Sequence, residues 1–276
     1  MKTLKLLLAV LIISFTSQIN AQTADEVIST YFENVGGLEN IKKVEGIKMT
    51  AKVNNGGMEI PIDITQLKNG KQMTVINFQG KEIKQGVFDG ETLWSTNFQT
   101  MKAEKSDAEA TANMKLNTND FLDPFIDYKE KGYTIELLGN ETIEGTDTFK
   151  IKLTKEPITI DGIEEADVSF YFFDVDSFVP IAIQTEIKSG PAKGQTSEVT
   201  MSNYQEVEGI YFPFSMTQGL KGQPGQPITM SSIILNPTVD DKAFDFPEEV
   251  APVAKDELEP VAKTEVAPVT KDEGKN

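Results

Sequence analysis

Residues 46–65, GIKMTAKVNNGGMEIPIDIT, decide the fold of this chain. Before the turn, apolar residues alternate with Lys48, Thr50 and Lys52, and after it Met58 and three isoleucines alternate with polar residues. A period of two places the apolar side chains on one face of a strand, and the Asn-Asn-Gly-Gly turn joins two such strands as a hairpin. The stretch therefore predicts an antiparallel sheet with one apolar face.

The same alternation recurs further along the chain. It predicts strands over residues 72–78, 82–88, 92–97, 133–138, 148–154, 167–173, 181–188, 197–204, 210–217 and 228–235. An antiparallel sheet with so many strands curls or closes on itself. We therefore predict one α+β domain over residues 22–247, built on a curved antiparallel sheet.

A single amphipathic helix opens this domain. Thr23 and Glu26 have the spacing of a capping box, and Gly36-Gly37 ends the helix. Between them, apolar residues recur at helical spacing: Val27, Ile28, Tyr31, Phe32 and Val35. The pattern predicts a helix that packs its apolar stripe on the sheet.

Residues 1–21 have the pattern of a cleaved signal peptide. Lys2 and Lys5 precede the apolar run from Leu6 to Phe15, and the small residue Ala21 marks the expected cleavage site. The run is too short to cross a bilayer, which needs about 20 apolar residues. We expect a protein that is exported to the periplasm or secreted, without a stable membrane anchor. Since the chain has no cysteine, it cannot be acylated as a lipoprotein.

Residues 248–276 consist of three approximate octads, VAPVAKDE, LEPVAKTE and VAPVTKDE. A proline in each unit and the high charge predict a disordered, extended tail. The pattern fits two roles equally well. One is a solubilising tail, and the other is a spacer or an arm that docks an envelope protein.

The composition excludes several classes of function. The chain has no histidine and no cysteine, and all 26 basic residues are lysines. A Ser-His-Asp or Cys-His pair, a nitrogen–sulfur zinc site and an arginine phosphate clamp are therefore excluded. The formal net charge of −17 argues against nucleic acid as a partner. Asp174 and Asp176 favour a turn over a calcium loop. We predict no catalytic residue, metal or cofactor, and a protein that binds rather than an enzyme.

Three motifs carry a family resemblance: FDGETLW at 88–94, SFVPI at 177–181 and EGIYFPF at 208–214, after a helix that ends in Gly-Gly-Leu. In this order and spacing, they resemble the LolA/LolB superfamily. More closely, they resemble outer-membrane lipoprotein-sorting-like proteins of Bacteroidetes envelopes.

The resemblance implies an unclosed barrel, with helices on its concave side and a cavity that holds acyl chains. It implies a soluble, monomeric periplasmic carrier or chaperone of lipid or lipidated protein, acting in lipoprotein sorting to the outer membrane. The chain departs from that family because it has no arginine to hold the lid. A non-enzymatic envelope sensor or adaptor, with a protein partner docked through the tail, is the alternative.

Two sets of residues are candidates for this cavity. We predict that the wall includes Trp94, Phe98, Phe170, Phe172, Phe214 and Met216, although a shift of one residue in strand phase would turn each of them outward. Trp94 alternatively belongs to the core. A polar stretch over residues 101–120 breaks the strand rhythm, and the apolar cluster at 121–128 that follows it has helical or irregular character. The resemblance implies a helical lid, and residues 101–128 are the candidate for it. The expected lid residues are Phe121, Leu122, Phe125 and Ile126.

Overall fold

The computed structural model describes residues 22–247, so the predicted signal peptide (1–21) and tail (248–276) lie outside the described residues. Its helices are α1 (Ala24–Asn34), α2 (Leu38–Ile41) and α3 (Ala108–Asn117), with 3-10 turns at Thr118–Asp120 and Asp241–Phe244. Within this described part, no helix has the length and apolarity needed to cross a membrane.

The strands are β1 (Gly46–Asn55), β2 (Met58–Leu67), β3 (Gln72–Phe78), β4 (Lys81–Phe88), β5 (Leu93–Thr96), β6 (Ala103–Lys105), β7 (Thr134–Ile143), β8 (Thr146–Thr154), β9 (Ile158–Ile160), β10 (Ile163–Glu165), β11 (Val168–Asp174), β12 (Pro180–Glu186), β13 (Thr196–Val207), β14 (Ile210–Leu220) and β15 (Gln226–Leu235). The predicted hairpin is β1–β2. Its turn glycines, Gly56 and Gly57, have φ of 60° and 87°, which is the left-handed backbone that a two-residue hairpin turn requires.

Thirteen strands form one antiparallel sheet in the order β6-β5-β4-β3-β2-β1-β15-β14-β13-β12-β11-β8-β7. The pairing of β1 with β15 joins the N-terminal and C-terminal strands in the middle of the sheet. Strands β6 and β7 stand at opposite ends of this order, so the sheet is not closed into a barrel. This is the curved, unclosed antiparallel architecture that was predicted.

Helix α1 packs on one face of the sheet, called the inner face below. The Thr23 and Glu26 side chains form the predicted capping box at its N-terminus. Its apolar stripe, Val27, Ile28, Tyr31 and Phe32, is buried. These residues form the main core together with strand residues that include Ile151, Leu153, Phe173, Ile210 and Leu235. Burial of such apolar surface is the main force that holds the helix on the sheet.

The C-terminal end of α1 is fixed against the turn between β13 and β14. The Tyr211 N–H donates a hydrogen bond of 2.9 Å to the carbonyl oxygen of Val35. At Gly36, which has a φ of +118°, a side-chain Cβ would lie 2.1 Å from the Gly209 carbonyl oxygen. Only glycine allows the helix end and the turn to approach so closely.

A separate cluster lies on the outer face of the sheet. Val87 and Trp94 are directly paired between β4 and β5, so their side chains share one face. They are buried with Phe244, and Leu67, Met73, Val239 and Phe246 pack against them. The chain after β15 thus returns to cover the outer face near the β6 edge.

The region between β6 and β7 contains α3, a 3-10 turn and then irregular turns over residues 121–132. Helix α3 lies within the predicted lid region, 101–128, while the four predicted lid residues lie in the turns, which is the irregular alternative for 121–128. Helix α3 contacts the small β9–β10 hairpin, which the sequence pattern did not predict. The Asn113 side chain is hydrogen-bonded to both the N–H (3.0 Å) and the carbonyl oxygen (2.6 Å) of Thr159.

Candidate functional site

Residues 121–128, called the lid segment below, lie over the part of the inner face that carries α1. Phe125 is 2% exposed, and its ring centroid lies 4.7 Å from that of Tyr171 and 5.8 Å from that of Phe173. The other predicted lid residues, Phe121, Leu122 and Ile126, are half-buried and pack against the main core. The lid segment therefore covers the inner face largely through one aromatic anchor.

A cavity of about 200 Å³ lies between the lid segment, α1 and strands β11–β14. Its wall is mostly apolar and aromatic: Val35, Ile41, Leu122, Pro124, Tyr171, Pro180, Ile183, Met201, Tyr204, Ile210, Tyr211, Phe212 and Pro213, with Tyr31 and Asp123. Two larger hollows, of about 380 and 300 Å³, also border the lid segment. They are lined in part by charged side chains, among them Lys42 and Lys129, so they suit an apolar ligand less well.

A half-buried hydrogen bond ties Asp123 of the lid segment to Tyr31 of α1. The Tyr31 hydroxyl donates to Oδ2 of Asp123 over 2.6 Å, and the backbone N–H of Phe125 donates to Oδ1 over 2.8 Å. Burial raises the pKa of Asp123 to about 6, against the lowering effect of these two hydrogen bonds. Burial and the neighbouring carboxylate also raise the pKa of Tyr31. In a chain without arginine, this pair connects α1 with the lid segment.

Two ion pairs fasten the lid segment at its outer side. The Lys42 Nζ lies 2.5 Å from Oδ1 of Asp127, and the carboxylate of Asp25 accepts hydrogen bonds from Tyr128 and Lys129. Lys42 and Asp127 are each 35% exposed and the pair of Asp25 and Lys129 is more exposed still, and ion pairs so close to solvent contribute about 0–1 kcal/mol each. The lid segment is therefore held by the buried ring of Phe125, by half-buried apolar side chains that pack on the core, by the Tyr31–Asp123 hydrogen bond and by weak surface contacts.

The inner face continues beyond the lid segment as an apolar patch. Around the buried Ala51, Ile62 and Met230 it carries seven half-buried apolar side chains: Met49, Val53, Ile64, Ile76, Phe214, Met216 and Ile228. All of them come from β1, β2, β3, β14 and β15. Met201, in the cavity wall, is directly paired with Met216, which in turn is paired with Ile228 of β15. The cavity and this apolar patch are therefore neighbours on one face of the sheet.

The structure brings two of the six predicted wall residues to this site. Phe214 and Met216 belong to the apolar patch, and Phe214 also contacts the main core. Phe98 is 62% exposed in the turn between β5 and β6, and is not part of a wall. Trp94 is 2% exposed on the outer face, so its place in the cavity wall was wrong and the alternative interpretation as a core residue is the correct one.

Phe170 and Phe172 were assigned to the wrong face of β11. They are paired with Lys152 and Lys150 of β8, and the Lys150 Nζ lies 5.1 and 5.3 Å from their ring centroids. Their neighbours Tyr171 and Phe173 face α1 instead. The sequence Phe-Tyr-Phe-Phe has aromatic residues at both phases, so alternation cannot choose between them.

The sequence analysis missed the polar residues of the site. Tyr31 was assigned to the apolar stripe of α1, and Asp123 lies inside the apolar cluster of the lid segment. Each residue taken alone suggested packing. No local pattern indicated that the two are in contact, because they are 92 residues apart. The presence of Asp123 and Asp127 among apolar residues was the one local signal, and it does not tell which of the two is buried.

The sequence matches no family model, and no curated protein matches it significantly. Among solved structures, a DUF1329-family protein of Desulfovibrio piger is 15% identical, with a TM-score of 0.49 over 79% of this chain and 97% of that chain. A domain of Vibrio parahaemolyticus assigned to outer membrane lipoprotein sorting is 10% identical, with a TM-score of 0.47 over 80% and 95%. A LolA-superfamily protein of Nitrosomonas europaea is 14% identical, with a TM-score of 0.48 over 82% and 98%. The descriptions of the second and third structures, lipoprotein sorting and the LolA superfamily, are those that the sequence motifs of this chain had suggested as a resemblance.

Proposed function

We propose that this protein is a non-enzymatic carrier that binds the acyl chains of a lipid or lipidated protein on its inner face, beneath the lid segment. The predicted signal peptide would deliver it to the periplasm, where such chains need shielding from water. The observation that carries the proposal is that the cavity and the apolar patch adjoin each other. Met201 of the cavity wall is directly paired with Met216 of the patch.

Burial of an acyl chain needs apolar surface rather than catalytic groups. Each buried CH₂ contributes about 0.8 kcal/mol, so a long chain is held firmly by a continuous apolar face. The cavity of about 200 Å³ is smaller than the roughly 300–1,000 Å³ of typical ligand pockets. A long chain therefore has to extend from the cavity onto the apolar patch or displace the lid segment.

The lid segment is suited to such displacement. Its backbone forms turns rather than strands, so no ladder of hydrogen bonds joins it to the sheet, and Phe125 is the one of its residues that is fully buried. Segments with few buried contacts open at a smaller free-energy cost than the core. Outward movement of Phe125 would expose Tyr171 and Phe173 and join their surface to the cavity.

The test is acyl-chain binding by the mature protein and by one variant of the apolar patch. Native mass spectrometry of protein purified from its own envelope identifies any bound species, and displacement of a fluorescent fatty-acid probe gives affinities. Met216→Glu places a charge in the path of the chain, and we expect at least about a tenfold loss of affinity. Phe98→Glu makes the same charge change at an exposed position, so its affinity should stay at the wild-type value.

An apo mass together with no uptake of fatty acid, lipid or lipopeptide would rule the carrier out. The sensor or adaptor function would then be the one to pursue, by a search for a protein partner of the tail. Equal losses in the two variants would also contradict the proposal, because binding would then follow surface charge rather than the apolar patch.

A further inference from the structure

The cavity beneath the lid segment contains one formal charge. Of the described residues that line it, only Asp123 is ionisable near neutral pH, and the others are apolar, aromatic or proline residues. A lone carboxylate in such a wall is costly unless it has partners. Its chemistry therefore bears on which end of a ligand the cavity can accept.

The oxygens of Asp123 still have acceptor sites to offer. A carboxylate has about four lone-pair positions. Tyr31 and the N–H of Phe125 each occupy one. The lysine that acts on Asp123 electrostatically, Lys131, is directed elsewhere, because its Nζ donates to the carbonyl oxygens of Pro124 (2.8 Å) and Asn119 (3.2 Å).

Three of the four tyrosines that line this cavity donate their hydroxyl protons to the protein, and one of these is Tyr211, which donates to the carboxylate of Glu206 over 3.4 Å. Tyr31 donates to Asp123, and Tyr204 donates to the carbonyl oxygen of Pro180 over 2.6 Å. What remains for a ligand is mainly a set of acceptors, two carboxylate lone pairs and hydroxyl oxygens, with the Tyr171 hydroxyl as the remaining side-chain donor among the described lining residues. A ligand group that only accepts hydrogen bonds, and that carries negative charge, therefore meets the Asp123 carboxylate with a single neutral donor to offset it.

We propose that the cavity takes a polar ligand end that donates hydrogen bonds and carries no negative charge, such as an amide or ammonium group on an acyl chain, and that Asp123 selects it against carboxylate, phosphate and sulfonate ends. This inference rests on the proposed function and adds the ligand class to it.

Electrostatics favours this choice of ligand. Like charges brought together at a desolvated site repel strongly, whereas a donor placed against a carboxylate forms a charge-assisted hydrogen bond. Burial raises the pKa of Asp123 to about 6, so the group is ionised at neutral pH and loses its charge under mildly acidic conditions. Selection against anionic ends should therefore weaken as the pH falls through this value.

The experiment compares two probes that share a sixteen-carbon chain but differ in their polar end. Palmitamide is a neutral donor, and hexadecylsulfonate keeps its negative charge over the whole accessible pH range. Displacement of a fluorescent aliphatic probe from the mature full-length chain at about pH 8 gives both affinities. We expect the wild type to prefer palmitamide by about tenfold or more.

Three variants distinguish ligand selection by Asp123 from a general structural effect of a substitution. Asp123→Asn should reduce the preference to near one, chiefly by a gain in sulfonate affinity. Asp176→Asn makes the same change in net charge at an exposed turn, so its preference should equal that of the wild type. Tyr31→Phe removes the hydrogen bond to the lid segment but keeps Asp123, so it should retain the preference even if both affinities change.

A pH series on the wild type keeps the inference testable if a variant fails to fold. Between about pH 8 and about pH 5 the preference should shrink, because Asp123 becomes protonated while the sulfonate does not. Equal wild-type affinities for the two probes, or a preference that Asp123→Asn leaves unchanged, would overturn the inference and leave the carrier function standing. Failure of both probes to bind would instead count against the carrier function itself.

Discussion

The indole Nε1–H of Trp94 donates a hydrogen bond of 2.9 Å to the carbonyl oxygen of Phe244, which lies 150 residues further along the chain. Both residues are buried on the outer face of the sheet, away from α1. The bond joins β5, near one edge of the sheet, to the segment that precedes the tail. Trp94 therefore stabilises the domain and positions its C-terminal end, without contact with the inner face.

Phe244→Ala should destabilise the domain and leave acyl-chain binding intact. Phe244 is 0% exposed, and truncation of a buried phenylalanine costs about 3–5 kcal/mol. Urea unfolding measures this loss. Phe98→Ala removes an equal side chain from an exposed turn and should change stability by no more than about 0.5 kcal/mol. If Phe244→Ala protein folded but lost ligand affinity, the conclusion that the outer face stabilises the domain while the inner face binds the ligand would be wrong.

Gly36→Ala should cost more stability than Gly37→Ala. Both glycines have positive φ, so alanine is strained by about 1–3 kcal/mol at either position. Only at Gly36 does the new Cβ also meet a backbone atom, the Gly209 carbonyl oxygen, at 2.1 Å. This overlap adds about 1–3 kcal/mol because helix or turn must shift.

The difference between the two glycine variants can be measured by urea unfolding under identical conditions. Near-UV circular dichroism would also report the displacement of α1, since its Tyr31 and Phe32 lie in the aromatic core. Equal losses in the two variants would mean that α1 can move away from the β13–β14 turn at no cost.

The sequence predicts the elements whose causes are local. The capping box of Thr23 and Glu26, the stop at Gly36 and the hairpin around Gly56 depend on residues within a few positions of one another, and the structure confirms each. Alternation could not show whether the sheet is open, because a curled open sheet and a closed barrel have the same pattern of apolar and polar residues. It followed from the family resemblance.

The site was harder to predict because it depends on strand phase and on long-range pairing. Phe214 lies in a strand where alternation is clear, and its assignment to the inner face agrees with the structure. At Phe170 and Phe172 aromatic residues occupy both phases, so only the observed pairing with β8 decides the face. The Tyr31–Asp123 contact has no local signature.

Asn113→Ala should loosen α3 without a large loss of global stability. None of the residues of α3 is buried, and the helix is held to the β9–β10 hairpin by the two hydrogen bonds of Asn113 and by Glu109, whose carboxylate accepts from the N–H groups of Asp161 and Gly162. Loss of the Asn113 bonds should cost about 1–3 kcal/mol locally.

Hydrogen exchange measured by mass spectrometry resolves this local effect. Peptides that cover α3 and the β9–β10 hairpin should exchange faster in Asn113→Ala, while peptides from β1 and β15 should not change. Asn117→Ala is the matched control, because Asn117 lies in the same helix but is exposed. Faster exchange across the whole sheet would show that the α3 contact supports the core instead.

Stability should rise as the pH falls through the titration of Asp123. Burial raises its folded-state pKa to about 6, above the value of roughly 3.9 expected in the unfolded chain. At pH values above both, the carboxylate is ionised in both states and its contribution is constant. As the pH falls below about 6, the folded state takes up a proton first, so its stability increases until the unfolded chain is protonated as well.

Because many other carboxylates titrate in the same range, the measured quantity is the difference in unfolding free energy between the wild type and Asp123→Asn. From about pH 7.5 to about pH 4.5 this difference should move in favour of the wild type, by on the order of 1–2 kcal/mol. Tyr31→Phe sharpens the test. Its lost hydrogen bond is the main effect that lowers the pKa of Asp123, so the rise in stability should begin at a higher pH in this background. A pH-independent difference between the wild type and Asp123→Asn would mean that water reaches Asp123 freely when the lid segment is closed.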